Sequence, residues 1–344
     1  SASPDKTSEM VRMTQDAAIQ TAEIMCFVVA GGADHSKSCS LDEALAAIDQ
    51  PDSRVWINLL SPGESDITPI AQKLKLHELA IEDVFSTQSH AKVEPYSGNL
   101  FCVIPALNLT TPDDLFDVVN LNAFLGRNYL VTAERAALPA VNRAKAWLAR
   151  SSESIRRGPD FLLYLLLDGI VDEYLELTDQ MNDQVDGLEE RIFGKSDNSV
   201  SEAIFELRHK AAWLRRLISP QREILNILTN RPHEFLSGDT QLYLRDVYDH
   251  VQRVRENSEI FHDLLQGAME TYLTLVANRT NEVMKLLAAV GTVVLPINVI
   301  TGLYGTNFDV LPGAHNPYGF WILCSAVILA ATTMTLVFRS RKWF

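Results

Sequence analysis

The chain has 344 residues, 47% hydrophobic and 22% charged, a balance that supports a packed core and argues against disorder. Its 30 basic against 44 acidic side chains leave a formal charge of −14. That excess argues against a nucleic-acid binder, which needs Lys and Arg to neutralise phosphates. The four cysteines fall into no CxxC pair, so neither a disulfide framework nor a structural zinc site is expected.

Near the start no basic segment followed by an apolar run is found, so the N-terminal part is expected not to be exported. From residue 20 to 135 short apolar runs alternate with helical and turn signals. MCFVVA (25–30), RVWINL (54–59), LFCVIPAL (100–107), DVVNLNAFLG (117–126) and RNYLVTAE (127–134) read as strands, and 41–49, 65–75 and 77–85 as helices. The expected fold is α+β, an interleaved α/β domain followed by long helices. GxGxxG, GKS/T, HExxH and GxSxG are all missing, so an enzyme is not expected.

From Pro159, well suited to the first position of a helix, the pattern becomes helical and stays so. Residues 158–190 carry ten acids and no Lys or Arg, a face that concentrates counter-cations or is simply solvated. A second helix is predicted from about Ser199 to Thr229, bent at Pro220. A third starts near Gly238 and meets no strong breaker. Val254, Phe261, Ala268 and Leu275 recur at seven-residue steps along it, a coiled-coil-like spacing. A stalk of this length needs neighbours, which several subunits side by side would supply.

Between Leu286 and Phe338 the only formally charged side chain is Asp309. LLAAVGTVVLPINVITGLY (286–304) and PYGFWILCSAVILAATTMTLVF (317–338) are each long enough to cross ~30 Å of hydrocarbon, and the short link makes them antiparallel. Arg279 and Lys285 precede the first span, and Arg339, Arg341 and Lys342 follow the second, so both termini are expected on the cytoplasmic side. Gly291, Thr292, Pro296, Asn298, Thr301 and Gly302 make the first span more polar than an anchor requires. The expected organisation is a tail (1–19), an α/β cytoplasmic domain (20–157), long helices with the stalk (158–283), a first span (284–304), an outer loop (305–316), a second span (317–338) and a basic tail (339–344).

NEVMKLLAAVGTVVLPINVITGLYGTNF (281–308) resembles the signature of the CorA superfamily of divalent-cation transporters. HELAIEDVFSTQSHAKVEPYSGNLFCVI (77–104), LRDVYDH (244–250) and the ending RSRKWF resemble other parts of the same family. The resemblance implies a funnel-shaped homopentamer in a bacterial inner membrane, importing Mg²⁺, Zn²⁺ or Co²⁺, with lipid and its own copies as partners and no catalytic cofactor. It places the family's Gly-Met-Asn filter at Gly305, Thr306 and Asn307, and pore-lining or gating positions at Asn281, Leu287, Ala288, Leu295, Asn298 and Gly302. It also implies a regulatory metal between cytoplasmic domains, at Glu82, Asp83 and Asp246.

The chemistry is consistent with those positions. Amide oxygens from a ring of Asn307 would accept hydrogen bonds from a partly hydrated ion without holding it, and leucine constrictions gate by dewetting. Asp309 would attract cations at the outer loop. Two departures stand out: Thr306 replaces Met, and the loop reads Val310-Leu311-Pro312-Gly313, whose Pro-Gly resembles the zinc-transporting ZntB branch. His315 is a potential zinc ligand, although a lone loop histidine is more often solvated. The alternative reading is a membrane-anchored cytoplasmic metal sensor or scaffold that does not conduct.

Overall fold

The computed structural model describes residues 22–30, 36–86, 90–108, 117–150, 157–194, 199–306 and 316–341. The chain divides into two compact units, one of residues up to Gly187 with Phe205–Leu265, the other of Leu188–Ile204 with Gln266–Phe344.

The first unit is built on a mixed seven-stranded sheet in the order β2-β1-β3-β7-β6-β5-β4. The strands are β1 (Glu23–Val29), β2 (Lys37–Cys39), β3 (Arg54–Leu60), β4 (Lys92–Tyr96), β5 (Asn99–Asn108), β6 (Asp117–Leu125) and β7 (Tyr129–Glu134). Only β3 and β7 pair in parallel, and all other neighbours are antiparallel. The five strands expected from apolar runs are all present. β2 and β4 were not anticipated: each is a short edge strand without a clean apolar run. The β4–β5 hairpin turns at Gly98, whose φ of 101° is a conformation that glycine adopts without steric cost.

Every residue of β5 and of β7 is buried, as expected for strands covered on both faces. On one face Ile57, Phe101, Val103, Phe124 and Val131 pack with Ile67 and Ile70 of α2 (Glu64–Leu74) and Ala80 and Val84 of α3 (Glu78–Phe85). α1 (Leu41–Ala47) adds Ala44 and begins with a capping box between Ser40 and Glu43. The other face holds a satisfied polar chain. Trp56 Nε1 donates to Thr132 Oγ1 at 2.9 Å, Thr132 Oγ1 donates to Asn58 Oδ1 at 2.7 Å, and Asn58 Nδ2 donates to Glu134 Oε1 at 3.1 Å. Burial pushes the Glu134 carboxyl up, against the Leu138 amide that it accepts from. That amide lies just ahead of α4 (Pro139–Arg150), a helix the strand-and-turn reading did not anticipate although Val141, Ala144 and Leu148 bury one face at helical spacing.

The long helices follow as expected: α5 (Pro159–Phe193), α6 (Ser199–Asn230, containing Pro220) and α7 (Gly238–Tyr304). Leu244, Val247, Val251, Val254, Ser258, Phe261 and Leu265 are buried along α7 at alternating three- and four-residue steps. Tyr174 of α5 is fully buried and donates its hydroxyl to the Pro105 carbonyl of β5 at 2.7 Å, which fastens this helix to the sheet.

In the second unit α7 continues without interruption through 281–304, so stalk and first span are one helix of 67 residues. α8 (Gly319–Ser340) has 22 residues and no buried side chain. The second half of α7 and all of α8 are long and apolar enough to cross a membrane.

Candidate functional site: a helix-borne cation cluster and the membrane-span face

Two i, i+4 pairs meet where α5 passes α7. Asp168 and Asp172 lie one turn apart on α5, and Asp246 and His250 one turn apart on α7. One ligand atom each from Asp168, Asp172 and His250 fall within 4.8 Å of one another. His250 Nε2 is 4.0 Å from Asp246 Oδ2, and its Nδ1 is enclosed without a hydrogen-bond partner. The Asp168 carboxyl is pushed up by burial and then by the neighbouring Asp172 charge, while His250 and the Tyr164 hydroxyl favour its ionised form. Tyr164 is itself pushed up to about 12, by burial and by Asp168. A partly buried carboxylate such as Asp168, with a second acid beside it, gains from a cation between the two. Two carboxylates and an imidazole suit Co²⁺ or Zn²⁺, and the two carboxylates alone suit a hydrated Mg²⁺.

The helices are held in register beside this cluster. Asp160 Oδ2 accepts from the Ser237 amide at 3.0 Å and its hydroxyl at 2.7 Å, and Ser237 Oγ accepts from the Thr240 amide at 3.2 Å, capping α7. Phe161 and Tyr164 pack with Tyr243, and the Arg157 guanidinium lies 4.3 Å from the Phe161 ring centroid.

Of the metal positions expected from sequence, only Asp246 belongs to this cluster, at its edge and 72% exposed. Glu82 is exposed on α3. Asp83 pairs with Lys92 at 2.7 Å, and Lys92 also reaches Glu94 at 3.0 Å. The Tyr96 hydroxyl, followed by Lys92, holds the Glu94 carboxyl below its usual range. Asp168, Asp172 and His250 were not singled out in sequence as a candidate ligand set. Their signal was the ligand pairs D-x3-D and D-x3-H on two helices, which in sequence looks the same as a solvated acidic face.

The pore positions expected from sequence lie on the exposed part of α7. Asn281, Ala288, Leu295 and Gly302 follow one another at seven-residue steps, all exposed. Leu287 is 67% and Leu295 64% exposed, and Asn298 is exposed as well. Pro296 deletes one intrahelical donor, yet the helix runs on. Nearby, Thr292 Oγ1 donates to the Ala288 carbonyl at 2.7 Å and Thr301 Oγ1 to the Ile297 carbonyl at 2.9 Å. Gly305 ends the helix, its amide donating to the Thr301 carbonyl at 2.9 Å. A Cβ there would sit 3.2 Å from that carbonyl oxygen, a tight approach. Thr306 turns its hydroxyl back onto the Leu303 carbonyl at 2.7 Å. Asn307, Asp309, His315 and the Pro312-Gly313 pair lie outside the described residues.

A family model described as CorA-like Mg²⁺ transporter protein matches residues 52–341. The chain belongs to that family. YfjQ of Bacillus subtilis is 30% identical over 298 residues, covering 86% of this chain and 92% of that protein. The cobalt/magnesium transport protein CorA of Thermotoga maritima is 27% identical over 290 residues, 84% of this chain and 83% of that protein. The solved CorA magnesium transporter of Methanocaldococcus jannaschii superimposes with a TM-score of 0.80 at 22% identity, over 93% of this chain and 99% of that one. This CorA-like fold is thus a mixed-sheet domain, a long helix and two apolar C-terminal helices, and the family is one of transporters rather than enzymes.

Proposed function

We propose that the chain is a divalent-cation channel or transporter that works as a homopentamer in a bacterial inner membrane, both termini cytoplasmic, bringing Mg²⁺, Zn²⁺ or Co²⁺ inward. The observation that carries this reading is the exposed seven-residue repeat Asn281, Ala288, Leu295 and Gly302 on one unbroken helix ending at Gly305-Thr306. A helix alone in lipid has no need to align Asn, Ala and Gly on one face with a leucine between them, whereas helices ringed about a gated water path do. In this reading a partly hydrated ion passes a ring of Asn307 amides. The Leu287 and Leu295 rings close the path by excluding water.

Closure is regulated, in the same reading, by cytoplasmic divalent cation. Asp168, Asp172 and His250 provide one site, and Glu82, Asp83 and Asp246 provide acids at a junction between copies. Loss of the cation leaves like charges facing one another and loosens the closed state.

The test is uptake into proteoliposomes of Mg²⁺ and of Zn²⁺, each with and without an inward proton gradient, against an Asn307→Ala control. Loss of flux in Asn307→Ala with assembly retained is expected. Full transport by that variant removes the filter assignment, and absence of any Asn307-dependent flux favours the anchored sensor. Asp246→Lys, with Asp83 intact, is expected to reduce metal-dependent protection from proteolysis. Unchanged protection places regulation elsewhere.

A further inference from the structure

Within the second unit, the end of α5 is tied to α7 close to the membrane. The Arg279 guanidinium donates to the Gly194 carbonyl at 2.9 Å, directly after the last residue of α5. A cation at a helix C-terminus meets the unpaired carbonyls and the negative end of the helix dipole, so this contact is favourable. The Arg191 guanidinium donates to Ser199 Oγ at 2.9 Å, joining the end of α5 to the start of α6. Leu188, Ile192, Val200 and Ile204 are all buried here, at 2%, 5%, 1% and 0% exposure. Phe193 is the exception, 71% exposed.

The height of this hairpin end follows from the helix it is tied to. Arg279 precedes Leu286, the first residue of the charge-free span, by seven positions, or ~10 Å of helix rise. The headgroup layer on each side of a bilayer is ~5–8 Å thick. The hairpin end therefore lies within a side chain's reach of the lipid headgroups that surround the span. An exposed aromatic ring on a hairpin end that carries Arg191 and is tied to Arg279, with Lys285 next along α7, has the composition that settles at a membrane–water interface, where apolar rings bury and long cations extend to the phosphates.

We infer that the α5–α6 hairpin end is a lipid-contact site, with Phe193 seated in the headgroup layer of the bilayer that holds the first span. The inference goes beyond ion passage and rests only on the two apolar helices crossing the membrane. It assigns the bilayer surface a mechanical hold on α5, the helix that bears Asp168 and Asp172.

The test uses the full chain with Phe193→Trp in phosphatidylcholine–phosphatidylglycerol vesicles, with and without phosphatidylcholine brominated near the top of the acyl chain. The emission of the parent chain is subtracted, which leaves that of the introduced indole. At least twofold quenching of this difference emission by the brominated lipid is expected. Unquenched emission overturns the inference: red-shifted, it puts the ring in water, and blue-shifted, it puts the ring against a second copy. Trp321, 69% exposed near the start of α8, reports separately on the spans. Quenching of the parent chain together with an unquenched introduced indole refutes the lipid contact and leaves membrane insertion standing.

Discussion

The central sheet and the second half of α7 are about equally apolar, and they end in opposite environments. Trp56, Ile57 and Phe101 are wholly buried by their own chain, whereas Leu287, Leu295 and Val299 are 67%, 64% and 56% exposed. In the sheet, apolar side chains alternate between two faces and each face meets helices of the same chain. On α7 none of the described residues covers them, which leaves lipid or further copies as partners. Burial inside a single chain is thus a property of the sheet and not of these positions on α7, and a substitution should act differently in the two places.

The sharpest contrast is between truncations. Trp56→Ala removes a fully buried indole and its hydrogen bond to Thr132, and should destabilise the sheet unit by ~3–5 kcal/mol in denaturant unfolding. Leu295→Ala should leave that unfolding transition within ~0.5 kcal/mol of the parent chain. Its expected effect is a raised resting flux in proteoliposomes, because a narrower apolar side chain is a poorer barrier to water. A large loss of sheet stability in Leu295→Ala would mean that the two regions are not independent.

Glu173 offers a pH test confined to the sheet unit. Burial, only partly offset by Arg143 at 2.8 Å, pushes its carboxyl up from 4.5 to about 7. Between those values the unfolded chain has released the proton and the folded chain keeps it, so unfolding is increasingly favoured as pH rises. Stability from this group is greatest below about pH 4.5 and falls until about pH 7, by at most ~3 kcal/mol. Glu173→Gln should flatten that fall in thermal unfolding between pH 5 and 8. An unchanged slope would assign it to other groups.

The smallest effect concerns the helix cluster. Asp168→Asn removes one charge from the three-ligand set and should weaken divalent-cation protection from proteolysis by on the order of tenfold in cation concentration, with little change in the metal-free protein. Equal protection of variant and parent would make the cluster an ordinary acidic surface.

These contrasts follow what could be read without a fold. Helix starts at Pro159, Ser199 and Gly238 were legible because local propensity and apolar periodicity act within a few residues. The same holds for the five apolar strands and for two charge-free spans of bilayer length. β2 and β4 were not legible, since an edge strand of three or five residues is defined by the neighbour it pairs with rather than by its own pattern. The sheet order, with a single parallel pair between β3 and β7, also depends on contacts distant in sequence.

The candidate site divides in the same way. The proposed pore positions Asn281, Ala288, Leu295 and Gly302 share one helix, so a seven-residue step is enough to align them. Asp168 and His250 are 82 positions apart, and each looks like surface charge until two helices cross. Sequence alone determined the two apolar segments and the long helix, because charge exclusion and periodicity are local properties of the chain, and the resemblance of 281–308 pointed to the family. Only the tertiary structure decided which acids converge with His250 and that Asp83 is paired with Lys92, because Coulombic and coordination energies depend on distance in space rather than along the chain.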